Sequence, residues 1–327
     1  MLLLVTLSTI YLDYWEYSKS SYQDPEIFNQ FLRGKGNAPQ QYRIGVLKAA
    51  ELVCRFSHLG LRHAITLIDL IAALGAVFLL LSCLERMPAY RAASLPGKGF
   101  ACAVYLVLVQ FYFGWAIWFQ RPETFTTALS VALLLWLMTA RNTGTPTSRY
   151  VVSITGTLLV ACVQALVRAD VVLTLEAGVI LLCLANKLTG TALPRWLQAA
   201  TSMCAILLAG AVQIYIMHVL YPHATYGDVK MFQLKMNLLN PFGIFPFCLF
   251  MTPFFYLLYR VPDGRLSFDR PSLLLLPGSI LFLGLWCLFG RIDEVRIMLP
   301  YTLALAPLLA TVLMQQVIEP PRQPIAA

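Results

Sequence analysis

Apolar runs dominate this chain and limit what it can become. Nine of them, at roughly 63–84, 100–119, 123–140, 150–167, 170–186, 196–220, 241–259, 272–290 and 297–316, follow a tenth that opens the sequence. A helix crosses a bilayer with about 20 mostly apolar residues. The runs have that scale and are continuous, whereas barrel strands would be alternating segments of about 10 residues. Charged residues make up 12% of the chain and hydrophobic ones 59%. A soluble domain carries about 25% charged residues, so there is too little polar surface here to cover a globule in water. The expectation is an all-α, polytopic integral membrane protein with about ten transmembrane helices. Residues 1–318 are read as a single helical domain, and residues 319–327, with Pro320, Pro321 and Pro324, as a short polar tail.

The opening run, Met1 to Leu12, is short and lacks the basic start and A-x-A site of a signal peptide. Extended through Tyr17 it can span, with Tyr11, Tyr14, Trp15 and Tyr17 as an interfacial aromatic belt. The eight cysteines are scattered, and all but Cys54 lie in or at the edge of apolar runs. That is neither a disulfide framework nor a zinc pattern, and they read as small core residues. The net charge of +8 is spread over many short loops. No nucleic-acid partner is expected, because such a partner calls for basic residues clustered on one face.

Basic residues set the orientation. One set of loops carries Arg86, Arg91, Lys98, Arg141, Arg149, Lys187, Arg195, Arg260, Arg265, Arg270 and Arg322. The opposite short loops carry Arg121, Arg168, Lys230, Lys235, Arg291 and Arg296. Eleven against six makes the first set cytoplasmic. A multi-pass protein of the plasma (inner) membrane with both termini inside is expected, and segment 13–62 falls outside. That segment holds two helix candidates. Asp24-Pro25-Glu26 has the form of a helix start, a cap followed by Pro and an acid. From Gln40 to Ser57, Ile44, Leu47, Ala50 and Val53 or Cys54 recur at helical spacing. Both candidates read as amphipathic helices lying on the membrane surface.

Three outer turns share a pattern: Arg121-Pro122-Glu123, Arg168-Ala169-Asp170 and Arg291-Ile292-Asp293, the last continuing Glu294-Val295-Arg296. Each Arg can pair with its neighbouring acid and finish a helix end. Repetition on one face points further, to an outer funnel in which Arg43, Arg121, Arg168, Arg291 and Arg296 hold a phosphate or pyrophosphate through forked hydrogen bonds. Glu123, Asp170 and Asp293 would then orient the guanidinium groups. The loop 221–240, with His223, Tyr226, Asp228, Lys230 and Lys235, is either a cover for this site or a plain connector.

Asp13 and Glu16 stand three apart among aromatics, so on a continuing helix they share a face. A partly dried carboxylate there suits a general base. Asp69 and Glu176 lie within apolar runs, where an acid is a functional candidate by default; each can also be tied to a neighbour such as Gln110, Gln164 or Arg168. The pairs Asp13/Glu16 and Asp24/Glu26 offer oxygen ligands for a divalent cation, but nothing else indicates one, and no cofactor or metal is expected. No H-E-x-x-H, G-x-S-x-G, P-loop or Rossmann motif occurs.

An acid just after the first run, a long first outer segment with two helices, and later outer-loop arginines together resemble the GT-C superfamily of membrane glycosyltransferases. The segments Gln41-Tyr42-Arg43 and Gly290-Arg291-Ile292-Asp293-Glu294-Val295-Arg296-Ile297 are similar to bacterial polytopic membrane proteins of this layout. The resemblance implies transfer of a sugar from a polyprenyl-phosphate donor to an acceptor at the extracytoplasmic face, in contact with membrane lipid. It implies that Asp13 is the base, with Glu16 or Asp24 as alternates. Arg291 and Arg296 would hold the phosphate, assisted by Arg121 or Arg168. The chain departs from the superfamily in its short first run and in having no large outer domain at the C-terminus. A transporter or lipid flippase, and a non-catalytic membrane scaffold, are the competing readings; no inverted repeat supports the first of these.

Overall fold

A computed structural model describes residues 1–17, 24–116, 121–139, 146–187, 191–224, 232–260 and 274–318. All regular structure among them is helical. The tail 319–327 lies outside the described residues, as do Arg141, Tyr226, Asp228, Lys230, Arg265 and Arg270.

Among the described residues, five helices are long and apolar enough to cross a membrane: α4 (Leu61–Arg86), α6 (Leu95–Ala116), α8 (Pro146–Leu184), α9 (Arg195–Tyr215, continued by a π-turn at Ile216–Leu220) and α11 (Pro241–Arg260). A sixth span results if the segment Val295–Ala304 and α14 (Ala306–Val317), which meet at 58°, are one broken helix. Each expected apolar run is helical over its described residues, yet ten full-length spans are not found. The runs 150–167 and 170–186 are two helices that adjoin within α8, broken where Arg168 leaves helical geometry at φ −158° and ψ 91° and folded back on each other, since Ser153 and Gly156 of the first and Val179 of the second all meet Leu137 and Met138 of α7. Helices α1 (Leu2–Tyr17), α7 (Glu123–Thr139) and α12 (Leu275–Phe289) are shorter, with 16, 17 and 15 described residues, and each lies next to residues outside the described ones.

The bend in the last run has a local cause. Pro307 sits in the first turn of α14, and a proline ring there clashes with the carbonyl four residues back. The preceding helix, α13 (Leu299–Ala304), therefore stops at Leu305. Every residue from Val295 to Val312 is buried. A helix that is apolar all round belongs at the centre of a bundle, and α13 and α14 are packed there by α4, α6, α7 and α12.

Two packings position the polar residues. Helices α4 and α7 run parallel: Gly75 abuts Leu129, and Arg86 lies 4.8 Å over the Trp136 ring. Continuing that register toward the helix starts sets Asp69 level with Glu123. Helices α8 and α9 form an antiparallel pair, Cys183 lying beside Arg195 and Ala165 and Ala169 packing with Ala205 and Ala209. Helix α12 crosses α8 at paired glycines; a Cβ on Gly178 would stand 2.3 Å from the Gly278 nitrogen. Small residues let helix backbones approach this closely.

The segment between α1 and α4 differs from expectation. Asp24 caps α2 (Pro25–Leu32) by accepting a 2.8 Å hydrogen bond from the Glu26 N–H. The second candidate divides into a 3-10 turn, Gln40–Arg43, and α3 (Gly45–Ser57). Its apolar face does not lie open to lipid. Ile44 and Leu47 are buried with Phe28 of α2, and Ala50 is buried against Ala64 and Ile65 of α4. Protein side chains satisfy the amphipathic stripe that the sequence offered to a membrane surface.

Candidate functional site

The α8 bend is the centre of the charged site. Arg168 is buried there and makes a two-pronged contact with Asp170, Nε donating to Oδ1 at 3.2 Å and Nη2 to Oδ2 at 2.5 Å. Aromatic rings line its other side: the guanidinium lies 5.3 Å from the Phe282 ring centre, and Phe282 stacks on Tyr301 at 4.4 Å. Thr174 and Tyr301 share a hydroxyl–hydroxyl bond of 2.8 Å one turn further along α8. The Arg168 side chain is 3% exposed and that of Asp170 42%, although protein surrounds Asp170 closely. The carboxylate is thus the more exposed partner and the guanidinium the buried one.

Three other segments bring charge to the same place. Glu123, the buried first residue of α7, accepts a 3.2 Å hydrogen bond from Arg43 Nη1, and Arg168 and Arg296 also act on it electrostatically. Arg43 is held over the site by its own segment. Gly45 packs on the Leu166 carbonyl of α8, Tyr42 donates a 2.8 Å bond to the Ala224 carbonyl, and Gln41 donates to the Phe31 carbonyl and accepts from the Gly36 N–H. Arg296, in the 3-10 turn Val295–Met298, is buried and donates to Glu294 at 2.7 Å. Arg121 and Arg43 lie within electrostatic reach of Arg296. The Arg296 Nε is buried with no hydrogen-bond partner among the described residues.

Four guanidinium groups, from Arg43, Arg121, Arg168 and Arg296, therefore meet three carboxylates, from Glu123, Asp170 and Glu294. Planar guanidinium groups that face a carboxylate can equally face phosphate, and a buried, partly unsatisfied fork is set up to do so.

Arg291 reaches this group only at its edge, through an electrostatic contact with Glu294. It is 63% exposed and pairs outward with Asp293 through bonds of 3.2 and 2.6 Å. That hydrogen bond raises its already high pKa. Asn237 of α10 (Leu234–Leu238) pins the turn by bonding the Gly290 carbonyl and the Ile292 N–H. Asp293 also lines a cavity of about 440 Å³ with Trp115, Asn240, Phe242 and Phe245, between α6 and the start of α11. Lys235 and His223 are exposed.

Asp13 is fully buried near the end of α1, whereas Glu16 is half-exposed. The neighbouring Tyr14 ties α1 to the start of α4. Its carbonyl accepts from Arg62 Nε at 2.7 Å, the guanidinium lies 3.5 Å over its ring, and its hydroxyl meets His63 Nε2 at 3.2 Å. Arg62 thereby satisfies a carbonyl that a helix end leaves open. Asp69, also buried, lies about 9 Å further along α4 than His63 at the usual helical rise. Gln164, thought of as a partner for the intramembrane acids, instead donates to Thr127 and to the Arg168 carbonyl. Glu294, Phe282, Thr174 and Tyr301 were not among the expected site residues. Of these only Glu294 carried a signal, as the acid two residues before Arg296.

The fold and site define a helical protein with five or six candidate membrane-crossing helices and a buried, arginine-rich cluster at one end of the bundle. Comparison with protein-family models, curated proteins and solved structures finds no match.

Proposed function

We propose that this chain is a membrane glycosyltransferase, moving a sugar from a polyprenyl-phosphate donor to an acceptor hydroxyl at the extracytoplasmic face of the plasma membrane. The observation that carries the reading is the convergence of Arg43, Arg121, Arg168 and Arg296, with the buried Arg296 Nε left without a hydrogen-bond partner among the described residues. The donor phosphate binds to these guanidinium groups, approached from the side on which Asp170 is exposed. The acceptor oxygen attacks the anomeric carbon, the bond from that carbon to the phosphate oxygen breaks, and the acceptor proton passes to a carboxylate. Charge grows on the departing phosphate, and the fixed guanidinium groups stabilise it without reorganising. Asp13 is the proposed base, with Glu16 or Asp24 as alternates. The cavity beside Trp115 and Phe242 offers apolar surface to the first units of the lipid chain. Arg291 serves at the rim, through its contact with Asp293 and its electrostatic link to Glu294.

A lipid-linked sugar transfer assay tests the reading. Asp13→Asn and Arg168→Ala are each expected to lower turnover by about 10²-fold or more, the scale for losing one preorganised charge-stabilising group. Full activity in both would remove the mechanism. Movement of lipid across proteoliposomes with no glycosidic product would favour the flippase reading.

A further inference from the structure

Helix α8 carries a second polar feature, about two turns beyond its bend. Glu176 is fully buried, and neither of its carboxyl oxygens has a hydrogen-bond partner among the described residues. Facing it on α9 are Gln198 and Ser202, four residues apart and so on one face of that helix. They are 1% and 0% exposed. Both polar atoms of Gln198 and the hydroxyl of Ser202 are likewise without partners among the described residues. Ser202 lies close enough to act on the Glu176 carboxyl, but no well-formed hydrogen bond joins them. The antiparallel register that sets Cys183 beside Arg195 sets Glu176 opposite Ser202, with Gln198 one turn away.

Five unsatisfied polar atoms on two packed helices are not the composition of an ordinary apolar interface, because buried polar groups normally find partners. A lone acid inside an apolar span is costly unless a counter-charge reaches it. Among the described residues none is in contact. Arg168 is committed to Asp170, and Arg195 lies toward Cys183, a neutral thiol within electrostatic reach of Glu176. Helix α12 crosses at Gly278 and brings only Cys287, at its far end, while α7 brings Glu123, held by Arg43. The 3-10 turn and α3 meet α8 at Leu166, on the other side of the bend.

We propose that Glu176, Gln198 and Ser202 form a binding site within the membrane for one positive charge held by oxygen ligands, either a sodium ion or a proton. A carboxylate, an amide carbonyl and a hydroxyl are hard oxygen donors, the set that suits a hard cation. A carboxylate plus one cation is neutral, which removes the cost of burying the acid. The Gln198 amide N–H groups are then free to donate to the second carboxylate oxygen. The site does not depend on the transferase reading.

The test is carbodiimide modification of Glu176 in the purified full-length protein in nanodiscs, located by mass spectrometry, since the reagent attacks a protonated buried carboxyl. Labelling is followed against sodium at fixed pH, with choline chloride holding ionic strength, and against pH in sodium-free buffer. Protection by sodium assigns the ion. Labelling that falls with rising pH and ignores sodium assigns the proton. Ser202→Ala and Gln198→Leu, which keep the carboxyl, should weaken sodium protection by about tenfold or more, or shift the pH profile, as loss of ligand support does at ion sites. Labelling insensitive to both sodium and pH, no labelling of Glu176 under any condition, or variants identical to wild type would overturn the proposal.

Discussion

Two polar regions on the same helix are solved in opposite ways. At the α8 bend, Arg168, Arg43 and Arg296 are each paired with an acid, and aromatic rings cover what remains. Two turns away, Glu176, Gln198 and Ser202 are as deeply buried and have no such partners among the described residues. The first region holds the fold together as well as offering charge. The second contributes nothing visible to packing, which is what a site kept for something outside the chain would look like. A buried charge with its partner resists change, and a buried charge without one invites replacement by an apolar residue.

The comparison can be broken at its strong end first. Arg296→Ala leaves Glu123 and Glu294 with less compensation in a buried setting, and a loss of about 3–5 kcal/mol is expected. Thermal unfolding in detergent measures it; a midpoint near wild type would mean that the cluster is not integral to the fold. Next comes the scaffold common to both regions. Gly178→Ala puts a methyl group where the α12 backbone lies, at a cost of about 1–3 kcal/mol in the same experiment. At the other region the sign reverses. Glu176→Leu in sodium-free buffer is expected to be neutral or to stabilise by about 1 kcal/mol, because it removes an unpaired polar group. Clear destabilisation would show that Glu176 has structural partners after all. Smallest is Arg291→Ala, an exposed pair whose loss changes stability by less than about 1 kcal/mol.

How these regions could be read from the sequence depended on spacing. The helices were legible because apolar runs announce themselves, and so was the Asp24 cap, a local signal read within three residues. Whether a run crosses alone was less so. The last run divides at Leu305, where α14 starts with Pro307 in its first turn and leaves at 58°, and no gap in apolarity marks that break, whereas the break at Arg168 falls between the two runs expected there. The amphipathic stripe of α3 was visible, but a stripe does not say whether lipid or protein covers it; here Phe28, Ala64 and Ile65 do. Repeated Arg-x-acid turns pointed to Arg121, Arg168 and Arg296 with Glu123 and Asp170. The same pattern carried Arg291 along, since nothing in the sequence tells an inward fork from an outward one. Gln198 and Ser202 left only a faint trace, two polar residues one turn apart in an apolar run, and their meaning came from Glu176 on the neighbouring helix.

The most direct measurement is the binding of a polyprenyl monophosphate to the full chain in nanodiscs, with single arginines removed from separate segments. If Arg43 and Arg121, which are distant in sequence, serve one anion site, Arg43→Ala and Arg121→Ala should each weaken binding by about tenfold or more, the loss of one charge-assisted bond. Arg291→Ala should stay within about twofold of wild type, as an exposed rim charge does. Wild-type binding in both Arg43→Ala and Arg121→Ala would contradict the account.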